Sequence, residues 1–253
     1  MDSFATRVLN SPIGKTQIFY LGQAGFLVKT KNGTLIGVDL YLSNCCERIY
    51  GFKRLMPYLL EPTELIFDVL LATHAHEDHF DVDSLPAMMH NDKTTLLAAK
   101  DAYEQGCKMG FEKQMACLTE GCSKKIKDIL VHAVFCDHGP DTPDAIGVVL
   151  EVGPLRIYVA GDTALHLERV PEFLKYGPID VMICPINGRF GNMNELEAVQ
   201  LCGEIKPKIV IPCHYWNFAE HGGDPSLFMT YLKANIPDQN YKIMAIGEML
   251  EFP

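Results

Sequence analysis

Thr73-His74-Ala75-His76-Glu77-Asp78-His79 follows directly on the apolar run Phe67-Asp68-Val69-Leu70-Leu71-Ala72. The run has the length and composition of a buried strand. The seven residues after it place three histidines and an aspartate in one short turn. A strand end is rigid, so side chains leaving it can be aimed at one point. Imidazole nitrogens and a carboxylate converging on a point form a site for a first-row divalent cation. A merely polar loop would need no further donors elsewhere, so the discriminating question is whether others stand where such a site requires them.

They do, at three more places. His138 comes just after the apolar run 129–136, in Cys136-Asp137-His138-Gly139. Asp162 comes just after 157–160, in Ala160-Gly161-Asp162-Thr163. His214 comes just after 209–212, in Pro212-Cys213-His214-Tyr215. A hydrolytic metal centre draws its ligands from several strand ends and keeps a coordination position open. His90, His132, His166 and His221 lack this placement. His132 alternates within a strand and reads as a satisfied core or surface histidine. His221, beside Gly222-Gly223 and close to His214 in sequence, reads first as a surface-loop residue, with lining the pocket as the alternative.

Composition narrows the classes. The chain has 253 residues, 48% hydrophobic and 21% charged, with a formal net charge of −10. That balance suits one globular domain, 1–253, since no Pro/Gly/Ser-rich or charged linker interrupts it. The acidic total and the lack of a dense basic run argue against a nucleic-acid partner. The nearest approach, Ser123-Lys124-Lys125-Ile126-Lys127, reads as a solvated surface turn. No window nears the roughly 20 apolar residues of a membrane span, and the N-terminus has no signal-peptide pattern. An odd count of nine cysteines with no secretion signal argues for reduced thiols and a cytoplasmic setting, and the lack of a C-x-x-C pair argues against a Cys-based structural zinc site. Cys136, Cys184 and Cys213, in apolar runs, read as small core residues. A small-molecule substrate is therefore expected, with no membrane partner. Nothing in the residues indicates a homo-oligomer.

Strands are expected at 16–21, 25–30 and 34–39, with Lys31-Asn32-Gly33 as a hairpin turn. Residues 41–66 lack periodicity and read as an irregular excursion over one end of the sheet. Further strands are expected at 67–73, 94–98, 129–136, 145–152, 155–160, 180–184, 208–212 and 242–246. Helices are expected at 81–89, broken or kinked by Pro86, and at 100–109, closed by Gly110. Others fall at 165–174, interrupted by Pro171, and at 225–234. A helix over 194–205 carries a capping box, Asn194 with Glu197. The pattern alone gives a layered α/β or α+β protein.

The H-x-H-x-D-H word resembles the signature of the metallo-β-lactamase superfamily, and residues 16–250 share in the resemblance. It implies a single-domain, four-layer αββα sandwich. It also assigns the ligands: His74, His76 and His138 to one metal, Asp78, His79 and His214 to a second, and Asp162 as bridge. Asp39 would then either hydrogen-bond the His-rich loop from behind or be an ordinary turn residue. Finer words narrow the branch: Lys53-Arg54-Leu55-Met56-Pro57, His138-Gly139-Pro140-Asp141, Ile186-Asn187-Gly188-Arg189, Gly191-Asn192-Met193 and Ile211-Pro212-Cys213-His214-Tyr215. Together they resemble the L-ascorbate 6-phosphate lactonase branch.

That branch implies a metal-dependent hydrolase, opening a lactone or related ester of a small anionic sugar acid by attack of a metal-bound hydroxide. The cofactor would be one or two divalent ions: Mn2+, Zn2+ or Fe2+. Asp78 would orient the nucleophile or take its proton. Arg54 and Arg189, with Lys53, are the candidate clamps for an anionic group, and Asn187, Asn192 and Tyr215 the candidate hydrogen-bond donors. Two other classes stay open: a small-molecule phosphodiesterase or nuclease-type hydrolase on the same two-metal site, and a non-catalytic metal-binding sensor.

Overall fold

The structure, a computed structural model, describes residues 2–253. Met1, the first residue of the stretch read above for a leader, lies outside the described residues. The chain resolves into two compact units, one formed by the first 117 residues with 244–253, the other by 118–243.

The first unit is built on a seven-stranded mixed sheet. In chain order its strands are β1 (Thr16–Gly22), β2 (Gly25–Lys29), β3 (Leu35–Val38), β4 (Val69–Ala72), β5 (Thr95–Ala99), β6 (Met115–Leu118) and β13 (Met249–Phe252), arranged β13-β1-β2-β3-β4-β5-β6. β1 to β4 are buried at every residue. Such strands show continuous apolar runs because both faces are covered. Gly33, at φ 90°, turns the β2–β3 hairpin, and its amide bonds Thr30 O at 2.8 Å.

Direction matters for the site. β3, β4 and β5 are parallel, while β2 is antiparallel to both β1 and β3. Two reversals restore the direction, so β1 runs with β3, β4 and β5. The carboxyl ends of all four lie on one edge of the sheet. Gln23, Asp39, the run 73–79 and Asp101 stand just past those four ends.

The second unit repeats the device with a six-stranded sheet. Its strands are β7 (Ser123–Ile126), β8 (Ile129–Val134), β9 (Gly147–Val152), β10 (Leu155–Val159), β11 (Val181–Pro185) and β12 (Ile209–Cys213), in the order β12-β11-β10-β9-β8-β7. β10, β11 and β12 are parallel, and β9 is antiparallel to both β8 and β10. β8, β10 and β12 therefore point the same way. His138, Asp162 and His214 leave the same edge.

Helices α1 (Phe4–Asn10), α2 (Cys45–Tyr50), α3 (Leu85–Met89) and α4 (Lys100–Lys108) belong to the first unit, and α5 (Val170–Leu174), α6 (Glu195–Ile205) and α7 (Pro225–Asn235) to the second. Lys29 extends its buried side chain under α1, where Nζ donates to Val8 O (2.9 Å), Leu9 O (3.0 Å) and Ser11 O (2.9 Å). Those are the carbonyls a helix end leaves unsatisfied, and a cation there also meets the negative pole of the helix. The capping box at α6 is formed as expected, with the Asn194 side chain accepting from the Leu196 and Glu197 amides.

Several expectations need correcting. Pro86 and Pro171 start α3 and α5 rather than breaking longer helices, because a first-turn proline loses no helical hydrogen bond. A 3-10 turn, Leu167–Arg169, precedes α5. The segment 242–246 is no strand; the last strand is β13, paired antiparallel with β1. Ser123-Lys124-Lys125-Ile126 is not a turn but β7, an edge strand. Its exposed lysines are the charges that keep an open sheet edge from pairing further. The excursion 41–66 contains α2, whose six residues are too few to show a period. No helix among the described residues is long and apolar enough to cross a membrane.

Candidate metal centre

In the first unit the donor-rich turn is fixed from below by Asp39. This carboxylate is wholly buried and sits at φ 46°. Oδ1 accepts from the Thr73 amide at 2.8 Å, and Oδ2 from Thr73 Oγ1 at 2.7 Å. Oδ2 also lies 2.9 Å from His79 Nδ1. The carboxylate can only accept, so His79 carries its proton on Nδ1 and turns the Nε2 lone pair outward. Thr73 Oγ1 gives its proton to Asp39, which leaves it to accept from His74 Nδ1 at 3.1 Å. His74 is thereby set in the same tautomer, with Nε2 outward. Of the two readings given above for Asp39, the structure supports the first.

The outward atoms gather. His74 Nε2 lies 3.0 Å from His76 Nδ1, and ligand atoms of His74 and His79 fall within 4.8 Å of one another. Asp78 Oδ2 is 3.7 Å from His79 Nε2 and accepts from Gln23 Nε2 at 2.7 Å. Asp101 Oδ2 ties the Ala75 amide at 3.0 Å, holding the turn from the side. Gln23 and Asp101 were not singled out from the sequence. The one signal for Gln23 is a buried polar residue between the glycines of a tight β1–β2 hairpin.

In the second unit the donors are fewer and come from three strands. Asp162 Oδ2 lies 3.1 Å from His214 Nε2 and 3.8 Å from His138 Nε2, and all three side chains are buried. Their loops are tied together: Thr163 Oγ1 accepts from the Asp137 amide (3.0 Å), and Asp137 O from the Ala164 amide (2.8 Å). His214 sits at φ 62°, a left-handed backbone that costs a non-glycine residue about 1 kcal/mol or more.

For His221 the structure favours the second of the two readings given above. It is half-buried, and its ring stacks flat on His214, centroids 4.9 Å apart with planes at 4°. His166 bonds Glu168 (2.8 Å) and, through Nε2, Asp137 (2.8 Å), the neighbour of His138. The Glu168 carboxylate, then Asp137, raises the His166 pKa. The Gly139 amide, then His166, lowers that of Asp137. His132 is satisfied between Ser123 Oγ (2.6 Å) and Glu151 (3.0 Å), as expected of it.

The candidate substrate residues fare unequally. Arg54 packs over the Tyr41 ring at 3.9 Å and donates from Nη2 to Tyr41 O (2.7 Å) and from Nε to Ser43 O (3.1 Å). Those donors staple the 41–54 loop. Burial lowers the Arg54 pKa. Arg189 is exposed, with Nη1 on Glu220 O at 3.0 Å. Asn187 and Asn192 are buried and joined amide to amide at 3.0 Å, pinning the 187–192 loop. That loop passes His138: a Cβ on Gly191 would lie 3.7 Å from His138 Nδ1. Tyr215 is buried beside His214.

These side chains suit divalent cations. Donors about 2.1 Å from a shared ion lie about 3.0–3.4 Å apart along an octahedral or tetrahedral edge. The separations of 3.0 Å and 3.7 Å in the first unit, and 3.1 Å and 3.8 Å in the second, bracket that spacing. Two imidazole nitrogens held 3.0 Å apart need a proton or a cation between them. Residues supplying only nitrogen and oxygen accept manganese, zinc or iron alike.

The comparisons agree. A family model described as a β-lactamase superfamily domain matches residues 17–214. A UPF0173 metal-dependent hydrolase of Myxococcus xanthus (strain DK1622) is 30% identical over 234 residues, covering 87% of this chain and 77% of its own. One of Anaeromyxobacter sp. (strain K) is 28% identical over 237 residues, covering 87% and 82%. Among solved structures, a metallo hydrolase of the archaeon Ignicoccus hospitalis superposes with a TM-score of 0.75 at 24% identity, over 94% of this chain and 99% of its own. The two mixed sheets with their helices are those of the metallo-β-lactamase fold. The chain belongs to the β-lactamase superfamily, within its UPF0173 family of metal-dependent hydrolases.

Proposed function

We propose that this protein hydrolyses a lactone or a related small carboxylic ester, using one or two divalent cations held by its His and Asp donors. In this reading His74, His76 and His138 hold one ion, Asp78, His79 and His214 the other, and Asp162 stands between. The observation that carries it is the donor spacing at matching sheet edges, 3.0 Å for His74 and His76 and 3.1 Å for Asp162 and His214. When bound there, such cations supply Lewis acidity and bring the pKa of a water molecule down to about 7.

The chain's own groups do the rest. Asp39 keeps His79 and, through Thr73, His74 in the tautomer that presents Nε2. Gln23 fixes Asp78 Oδ2, so the carboxylate is oriented to accept the proton of an attacking water. Arg189, exposed within the pinned loop, and Lys53, also exposed, are the cations left to meet an anionic group of substrate or product. The lactonase branch is the source of the lactone; sugar acid and phosphate belong to the same proposal, with manganese the metal it suggests. The nine cysteines are all unbonded to one another, which suits a reducing, cytoplasmic setting.

The test is a panel on metal-loaded protein comparing lactones, aryl esters and bis-p-nitrophenyl phosphate. Preferential turnover of lactones or esters, lost in Asp78→Asn, supports the reading. Preference for the phosphodiester would make this a phosphodiesterase. Stoichiometric metal without hydrolysis of any class would make it a binding module.

A further inference from the structure

We propose that Phe190 and Trp216 form an aromatic rim that binds a flat apolar group of the substrate, so that the ester or lactone carries an aryl or comparable substituent. This rests on the hydrolase reading and puts an aryl group where the lactonase branch would put a sugar acid. Three observations converge. First, both side chains stand in solvent, Phe190 56% exposed and Trp216 55%. Second, both have left-handed backbones, φ 55° and 61°. Other large apolar side chains are as exposed, such as Leu9 and Ile13, but among the described residues no other couples exposure with that backbone. Third, each is linked to His214, one through a ring and the other along the chain. The Phe190 ring lies 5.2 Å from His221, which stacks on His214 at 4.9 Å. Trp216 follows His214 by two residues and meets the buried Tyr215 ring edge-on at 5.4 Å.

Folding alone gives no reason for these choices. Glycine or asparagine adopts a left-handed backbone more readily than phenylalanine or tryptophan. Single exposed aromatic rings are common on protein surfaces, so the backbone is the telling feature. Two bulky residues held at a backbone that costs stability, each linked to one proposed ligand, mark a place where function is served at the expense of the fold. A ring in water recovers its apolar area when a flat partner stacks on it. The Phe190 loop is also preorganised, through the Asn187–Asn192 amide pair and the Gly188 amide on Met193 O at 3.0 Å. Arg189, next in the chain, supplies a cation on the same loop, with Nη1 on Glu220 O at 3.0 Å. The substrate that fits is amphiphilic: an apolar ring with an ester, and a carboxylate in the substrate or released by its hydrolysis.

Two measurements test it, one with turnover and one without. The metal-loaded enzyme is assayed on dihydrocoumarin, whose lactone is fused to an aryl ring, and on γ-butyrolactone, which has none. Phe190→Ala and Phe190→Asn should lower the dihydrocoumarin-to-γ-butyrolactone ratio of kcat/KM about tenfold. Phe190→Asn should also raise Tm, because asparagine relieves the backbone; a residue kept for folding would make Tm fall. Trp216 is the single tryptophan of the chain, so its emission reports on the rim whether or not any substrate turns over. Emission should respond to 3-phenylpropionate and not to propionate, with affinity weakened in Phe190→Ala. A ratio within twofold of wild type in both Phe190 variants would overturn the proposal, as would equal emission responses to the two acids. If no lactone is hydrolysed the hydrolase reading fails, and the emission titration still decides the rim.

Discussion

The donor sets of the two units reach the same end by opposite means. In the first unit one strand delivers four donors in six residues, and a single buried carboxylate, Asp39, sets two of their tautomers. In the second unit three strands deliver one donor each. There the support is loop-to-loop hydrogen bonding, ring stacking by His221 and a strained backbone at His214. A concentrated half concentrates its dependence on one supporting group, and a dispersed half spreads it. Damage should therefore travel differently through the two.

The largest expected effect treats the halves alike. Stripping divalent metal with a chelator, or introducing His76→Ala, should cut ester turnover on the order of a thousandfold, restored for wild type by added metal. Undiminished turnover in stripped protein would end the metal reading altogether. Next comes the support of the concentrated half. Asp39→Asn should weaken metal binding about 10- to 100-fold and lower Tm, since two imidazoles lose their orienting acceptor and a buried hydrogen-bond network is broken. A metal isotherm paired with thermal unfolding checks both.

The dispersed half should be more forgiving. His221→Ala removes a stacked ring worth about 0.5–1.5 kcal/mol, so metal affinity should drop only about two- to tenfold. A loss as deep as that of Asp39→Asn would erase the contrast between the halves. The smallest effect on metal binding and turnover is expected at Arg54. Arg54→Met should cost about 1–3 kcal/mol of stability, measured by denaturant unfolding, because carbonyls of the 41–54 loop lose their donors. A rise of more than fivefold in KM for an anionic substrate would return Arg54 to the substrate.

The same contrast explains what could be read from the residues alone. Local order left its mark: the apolar run before Thr73, the Asn194–Glu197 capping box and the strand-end positions of His138, Asp162 and His214 all depend on near neighbours. What escaped depends on distant ones. Gln23 lies 55 positions before the carboxylate it holds, and nothing in its own stretch announces Asp78. His221 looked like a loop residue because stacking on His214 has no sequence signature. Arg54 looked like a clamp because charge is visible in a sequence and carbonyl acceptors are not. Pro86 and Pro171 were misplaced by one turn, since proline opens a helix as readily as it ends one.

The most direct test is the binding of Mn2+ or Zn2+ to metal-stripped protein, followed calorimetrically in wild type and in variants cut from each half, His76→Ala from the first and Asp162→Asn from the second. Stoichiometric binding that weakens sharply in both variants is the predicted result. Wild-type affinity in Asp162→Asn, or no binding by the intact chain, would contradict it.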